Sequence, residues 1–388
     1  MHKRSLAEHL DPNVGPKRIL ALDGGGIRGA LTLGYLKRME TLFREKFDDP
    51  EYRLCDYFDL IGGTSTGSII AAGLAIGLTV DELAEDYMVL GGKIFGEKRD
   101  WWNPLETWKY LQANYDYHAL EKSLKEVFGE IKLNSDKILT GLCITAKRAD
   151  TNSTWPLINH PDGKFFDSDL GKNGEIPLWQ AIRASSAAPT YFAPQTIDVG
   201  DGNYGVFIDG GVSMANNPAL SLLMVATMKG FPFHWKMGQK NLSIVSVGTG
   251  YSIFKKQVGA IEEAWMKDWA MNVPNMLLQD ASWQAQILMQ WMSDSPVATT
   301  IDMEMGDLKG DYLGTEPLIG YLRYNFAITK ENLNDLPMDK TFDDKEVKSL
   351  LDVSRQDNRY ILYEIGQAAA HVLNIDHFST SSSQPGQI

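Results

Sequence analysis

The sequence predicts an α/β protein: a central, mostly parallel or mixed sheet flanked by helices, with an appended C-terminal helical region. Three observations carry that expectation. Short β-rich runs alternate with helical patterns up to about residue 250, a triple glycine follows the first such run, and a glycine-flanked serine stands between the second run and its helix.

Each element follows in order. Residues 1–16, MHKRSLAEHLDPNVGP, read as a polar arm without a function of its own. RILAL (18–22) is the first strand, a helical pattern covers 28–46, YFDLIGG (57–63) is the second strand, and a helix starts at Thr66. Further strands are expected at KILTGLCITAKR (137–148), near GVFIDGG (205–211) and at LSIVSVGTG (242–250). After about residue 255 the character changes to a Trp- and Met-rich stretch in which Trp265 and Trp269, and again Ile287 and Trp291, stand four apart, as helical faces do. That stretch reads as core or subunit interface, with an acyl-binding or regulatory surface as the alternative. The expected organisation is therefore a core unit over 17–250, a helical extension packed on it over 251–378, and a flexible tail over 379–388.

Charge excludes some partners. With 37 basic and 50 acidic residues among 388, the net charge is −13, a field that repels nucleic acid polymers and anionic bilayers. Membrane contact is then expected to be local and apolar. Only Cys55 and Cys143 occur, which offers neither a disulfide framework nor metal-ligand spacing and suits a reducing, cytoplasmic interior. The basic N-terminus is not followed by an apolar signal core. The longest apolar run, SIIAAGLAIGLTV, falls short of the roughly 18 to 20 residues that span a bilayer. A soluble protein is expected, with no metal and no cofactor.

Chemistry concentrates at three places. In LDGGGIRGALTLGYL, Gly24, Gly26 and Gly29 fit G-x-G-x-x-G and open a helix, leaving bare amides that favour an anion. A dinucleotide fingerprint would place an acid at the end of the second strand; that strand ends in IGGTSTG instead. An oxyanion hole is the rival reading. It needs a nucleophile, and Gly63-Thr64-Ser65-Thr66-Gly67 is a G-x-S-x-G elbow between an apolar strand and an apolar helix; the plainer reading is a hydroxyl turn that caps the helix. For a base, the histidines are poorly placed: His2 and His9 lie in the arm, His371 and His377 near the tail, and His118 opens a helix. His160 and His234 lie in loops, and only His234 follows the α/β-hydrolase chain order. The other candidate is Asp209 in FIDGGVSMANNPAL, which either takes the serine proton or caps the next turn.

Asp23-Gly24-Gly25-Gly26-Ile27-Arg28-Gly29, Gly63-Thr64-Ser65-Thr66-Gly67 and Asp209-Gly210-Gly211, with AIRASSAAPTYFAP (181–194) before the aspartate, together resemble the patatin-like phospholipase family over about residues 17–250. The resemblance implies a three-layer patatin-like catalytic domain, a serine-aspartate dyad without histidine, and hydrolysis of acyl esters in membrane phospholipids. Carried over by position, Ser65 is the nucleophile and Asp209 the base. The amides of Gly24, Gly25, Gly26 and Thr66 form the oxyanion hole, with Arg28, Gly29, Gly63, Gly67, Gly210 and Gly211 supporting. Arg28 supports the loop or attracts a phosphate head group.

The aromatic run GGKIFGEKRDWWNPLETWKYLQANYDY, with Trp101, Trp102 and Trp108, suits a lid or interfacial patch as well as packing under a long loop. Some bacterial relatives look like defence effectors switched on by a cyclic nucleotide, so a cyclic dinucleotide activator and a homo-oligomer are among the expected partners. A constitutive non-specific lipid acyl hydrolase, a nucleotide-binding protein using the glycine loop, and a catalytically silent storage protein are the alternatives.

Overall fold

The alternation read from the sequence closes into one sheet. In a computed structural model, which describes residues 3–96, 117–200, 202–253, 258–263 and 265–378, its strands are β1 (Lys17–Leu22), β2 (Leu60–Thr64), β3 (Gly141–Arg148), β4 (Ser153–Ile158), β5 (Gln195–Asp198), β6 (Tyr204–Asp209), β7 (Leu242–Val247) and β8 (Gly320–Tyr324). They run in the order β5-β6-β3-β2-β1-β7-β8, with β4 also paired to β3. The run from β3 through β2, β1 and β7 to β8 is parallel, while β4, β5 and β6 join antiparallel.

Helices cover both faces. They are α1 (Leu6–Leu10), α2 (Gly29–Phe47), α3 (Leu54–Tyr57), α4 (Thr66–Ala75), α5 (Val80–Gly96), α6 (Tyr117–Phe128), α7 (Leu178–Ser185), α8 (Ala219–Thr227), α9 (Val258–Glu262), α10 (Met266–Trp291), α11 (Lys330–Asn334), α12 (Asp344–Leu350) and α13 (Arg359–Ala369). The two-residue period of β1 explains the layering. Leu20 and Leu22 enter the core built with α2, α4, α5 and α13, whereas Ile19 and Ala21 enter the core built with α8 and the end of α10. A central strand buried on both sides reads as a continuous apolar run, as RILAL does.

Two expectations need correction. The polar arm is not an idle one: Ser5 and Glu8 close a capping box on α1, and Arg4 and the buried His9 both reach Asp59 Oδ1, at 2.6 and 2.9 Å. The segment 251–378 is not purely helical either, because β8 extends the sheet beside β7, pairing Ile244 with Tyr321 and Val245 with Leu322. Its α13 also belongs to the main core, since the helix crosses α2 where a Cβ on Gly366 would lie 2.2 Å from the Leu31 carbonyl. Trp101, Trp102 and Trp108 lie outside the described residues. Among those described, no helix is long and apolar enough to cross a membrane.

Candidate active site

At the end of β2 the chain reverses into α4 through Ser65, whose φ of 55° and ψ of −126° lie in the region that costs a non-glycine residue on the order of 1–3 kcal/mol. A Cβ on Gly63 would fall 2.1 Å from the Gly67 carbonyl oxygen, so only a glycine lets strand and helix approach this closely. Hydrogen bonds hold the strained turn. Ser65 N–H donates to Ser185 Oγ at 2.9 Å, which itself donates to the Thr145 carbonyl at 2.6 Å, and Ser68 binds the Ser65 carbonyl through both N–H and Oγ–H. The Ser65 hydroxyl makes no capping bond to α4. The elbow reading therefore fits and the capping-turn reading does not.

Sheet register brings Asp209 to this hydroxyl. Thr64, the last residue of β2, pairs with Thr145 of β3; the next residue of β3, Ala146, pairs with Asp209, the last residue of β6. Because β4 occupies the opposite edge of β3, β6 takes over the edge that β2 vacates, and the two strands point at each other end to end. Ser65 Oγ donates to Asp209 Oδ2 at 2.6 Å, and Gly211 N–H donates to Asp209 Oδ1 at 2.7 Å. Oδ1 thus caps the turn, as one sequence reading of Asp209 expects, while Oδ2 accepts the Ser65 hydroxyl, the placement that the other reading requires. Burial pushes its carboxyl up to about 6, against the opposing pull of the bonds from Ser65 and Gly211.

The glycine loop lies across from this pair. Gly25 and Gly26 line the same cleft as Ser65, Thr66 and Asp209, and among the described residues no acceptor is found for the Gly25, Gly26 and Thr66 amides. Gly24 departs from expectation: its N–H donates to the Asn216 carbonyl at 3.0 Å and is not free for an oxyanion. Arg28 does not line the cleft; burial lowers its guanidinium to about 10, against the opposing charge of Asp23. Support for the loop, rather than head-group capture, is the part of its expected role that this position allows. Gly29 starts α2, with Tyr87 and Thr66 hydroxyls 2.6 and 2.7 Å from where its Cβ would be, and Gly210 similarly abuts the Thr145 carbonyl at 2.3 Å.

Several contributors escaped the sequence reading. Tyr87 of α5 donates to the Gly26 carbonyl at 2.6 Å and meets Thr66 Oγ1 at 2.6 Å, tying the glycine loop to the elbow. Val353, beyond the expected core unit, accepts from Ile27 N–H at 2.8 Å. Arg323 of β8 binds Asp23 at the root of the loop. Ser185 was within reach, for it lies in the quoted AIRASSAAPTYFAP segment.

The cleft measures about 1230 Å³ and its walls are mainly apolar, with Ile69, Leu90, Leu120, Phe192 and Leu278 among them. That exceeds the roughly 300–1,000 Å³ of ordinary small-ligand sites. Among the described residues no histidine lines it: His234 is exposed, and His160 packs against Phe233. Nor does any described group of three or more His, Cys, Asp or Glu side chains have metal-binding placement. A hydroxyl bonded to a buried carboxylate, beside unpaired amides and an apolar cleft, is suited to acyl transfer.

Known proteins agree in family. The family model described as patatin-like phospholipase matches residues 20–223. A "cGAMP-activated phospholipase" of Vibrio cholerae is 32% identical over 278 residues, 68% of this chain and 72% of that one. "Patatin-like protein 4" of Arabidopsis thaliana is 33% identical over 272 residues, 66% of this chain and 65% of its own length. Another "cGAMP-activated phospholipase", from Escherichia coli, is 32% identical over 241 residues, covering 60% and 62% of the two chains. The chain thus spans about two thirds of the length of these relatives. With a matching model over more than half its residues and an elbow and glycine loop inside the matched stretch, this chain belongs to the patatin-like phospholipase family of lipid acyl hydrolases.

Proposed function

We propose that the protein hydrolyses fatty-acyl esters of glycerophospholipids through Ser65 and Asp209, by way of an acyl-enzyme. The single observation that carries the reading is the 2.6 Å bond from Ser65 Oγ to Asp209 Oδ2 at the floor of an apolar cleft. As Oγ attacks the ester carbonyl, Asp209 takes the hydroxyl proton, and the carbonyl oxygen becomes an oxyanion facing the amides of Gly25, Gly26 and Thr66. Collapse breaks the ester C–O bond and returns the proton from Asp209 to the departing lysolipid alkoxide. Water then attacks the acyl-serine, Asp209 accepting its proton and handing it back to Ser65 Oγ as the fatty acid leaves. A carboxylate whose proton affinity is raised by burial is a better base than a solvated one, while staying ionised at neutral pH.

The test is lipid profiling of phospholipid vesicles treated with wild type and with Ser65→Ala. Wild type is expected to release free fatty acid and lysolipid in equal amounts, and the variant neither, with its fold intact by circular dichroism. Undiminished release by Ser65→Ala would remove Ser65 from the chemistry.

Activation by a cyclic dinucleotide, in a defence role, is the regulatory part of the proposal. It is supported by the names of the Vibrio cholerae and Escherichia coli relatives. A panel of cyclic dinucleotides, read by thermal shift and by fatty-acid release, tests it. Constitutive hydrolysis with no response across the panel would favour an unregulated acyl hydrolase.

A further inference from the structure

We infer that the N-terminal half of α10, together with the turn after Asp209, is a docking face for a zwitterionic phospholipid bilayer, aligned so that acyl chains pass from the membrane into the Ser65 cleft. This inference rests on the phospholipid-hydrolase reading.

α10 changes character along its length. Its last turns are buried in the sheet core through Met289, but Trp265 just before its start and Trp269, Val273 and Leu277 within it, spaced four apart, are all exposed on one side. Trp265 is 74% exposed, Met266 87% and Leu277 62%. A helix ordinarily turns such a stripe inward, and contiguous exposed apolar surface marks an interaction site.

Continuity with the cleft identifies the occupant. Leu277 is both exposed and part of the cleft wall, and so are Val212 (49%) and Met214 (66%) on the turn that follows Asp209. The outer apolar surface and the inner one therefore meet at the mouth without a polar break at these positions. A protein seated across that mouth would close the entrance, whereas a bilayer seated there is the substrate reservoir. Tryptophan suits the boundary, because its ring meets acyl chains while its N–H stays at the head-group level. Charge selects the lipid: Lys255, Lys256 and Lys267 only balance Glu262, Glu263 and Asp268 in the stretch around Trp265, so no local basic excess offsets the chain's −13 and anionic head groups are disfavoured.

The test compares the full-length protein with Trp265→Ser/Trp269→Ser in flotation with phosphatidylcholine vesicles, in hydrolysis of those vesicles, and in hydrolysis of monomeric p-nitrophenyl butyrate. Neither tryptophan belongs to the cleft wall. The variant is expected to lose tenfold or more in vesicle binding and vesicle hydrolysis while keeping soluble-ester hydrolysis within twofold. Met266→Asp probes the same face without removing an aromatic ring and is expected to behave alike. Unchanged flotation by both variants overturns the docking face, as does a wild-type preference for phosphatidylglycerol vesicles. Light scattering that shows a dimer dissolved by the substitutions, with vesicle binding intact, assigns the face to a second copy and also overturns it. Failure of wild type to cleave either ester, both without and with the cyclic dinucleotide panel, would sink the hydrolase reading, while flotation still judges the face separately.

Discussion

Arg323 holds Asp23 through both terminal guanidinium nitrogens, at 2.8 and 2.6 Å, although 300 positions of chain separate them. Ser246 Oγ accepts a further bond from the same guanidinium at 2.7 Å. Since Asp23 immediately precedes Gly24, strand β8 anchors the root of the glycine loop. Burial works against the charge on Arg323, yet the bidentate carboxylate keeps it protonated.

Removing one partner of such a pair strands a buried charge, at about 3–5 kcal/mol. Arg323→Met is expected to lose that much unfolding free energy in urea titration, and Asp23→Asn/Arg323→Met to recover most of it. A single variant within about 1 kcal/mol of wild type would mean that the pair does not secure β8 to the loop.

Tyr87→Phe removes only a hydroxyl. The Gly26–Ile27 peptide is gripped at its carbonyl by Tyr87 and at its amide by Val353, which fixes the backbone just after the Gly26 N–H, a cleft-lining residue's amide without an acceptor among the described residues. Losing a whole oxyanion donor costs about 10²- to 10³-fold in kcat, so loosening one is expected to cost roughly tenfold, with KM near wild type and stability lower by about 1 kcal/mol. An effect confined to KM would place Tyr87 in substrate binding instead.

As the proposed base, Asp209 must be ionised to act. Its carboxyl, raised by burial to about 6, predicts a kcat/KM profile that falls tenfold per pH unit below that point and is level above it. An acid limb near pH 4 would mean that the carboxylate is not buried in the working enzyme.

The same shift has a stability sign. A carboxyl whose folded value exceeds its unfolded one binds protons better when folded, so stability falls as pH rises from about 4 to 6 and is then constant, a loss of about 3 kcal/mol at most. Asp209→Asn escapes that loss. The variant is expected to match wild type near pH 4 and to exceed it at pH 8 in chemical denaturation. Equal stability at both pH values would contradict the buried charge.

Legibility in the sequence followed how locally each feature is determined. Ser65, Gly63 and Gly67 were readable because a strained turn needs small neighbours adjacent in sequence, and Asp209 because two glycines follow it. β4 carries Pro156 within it and β5 has only 4 residues, so both lacked a strand signature. β8 has 5 residues, begins with a glycine and places Arg323 inside, a charge that makes sense only once Asp23 stands opposite. The Gly24 amide could not be assigned beforehand for the same reason, as its acceptor is 192 residues away (216 − 24) and appears only with tertiary packing.

The rate at which a fluorophosphonate labels Ser65, followed by intact mass at pH 8 in wild type, Asp209→Asn and His234→Ala, bears most directly on the pairing of residues 65 and 209. One adduct on wild type, the same rate in His234→Ala, and a rate lower by about 10²- to 10⁴-fold in Asp209→Asn is the expected result. Labelling of Asp209→Asn at the wild-type rate, or an adduct on any other side chain, would contradict the account.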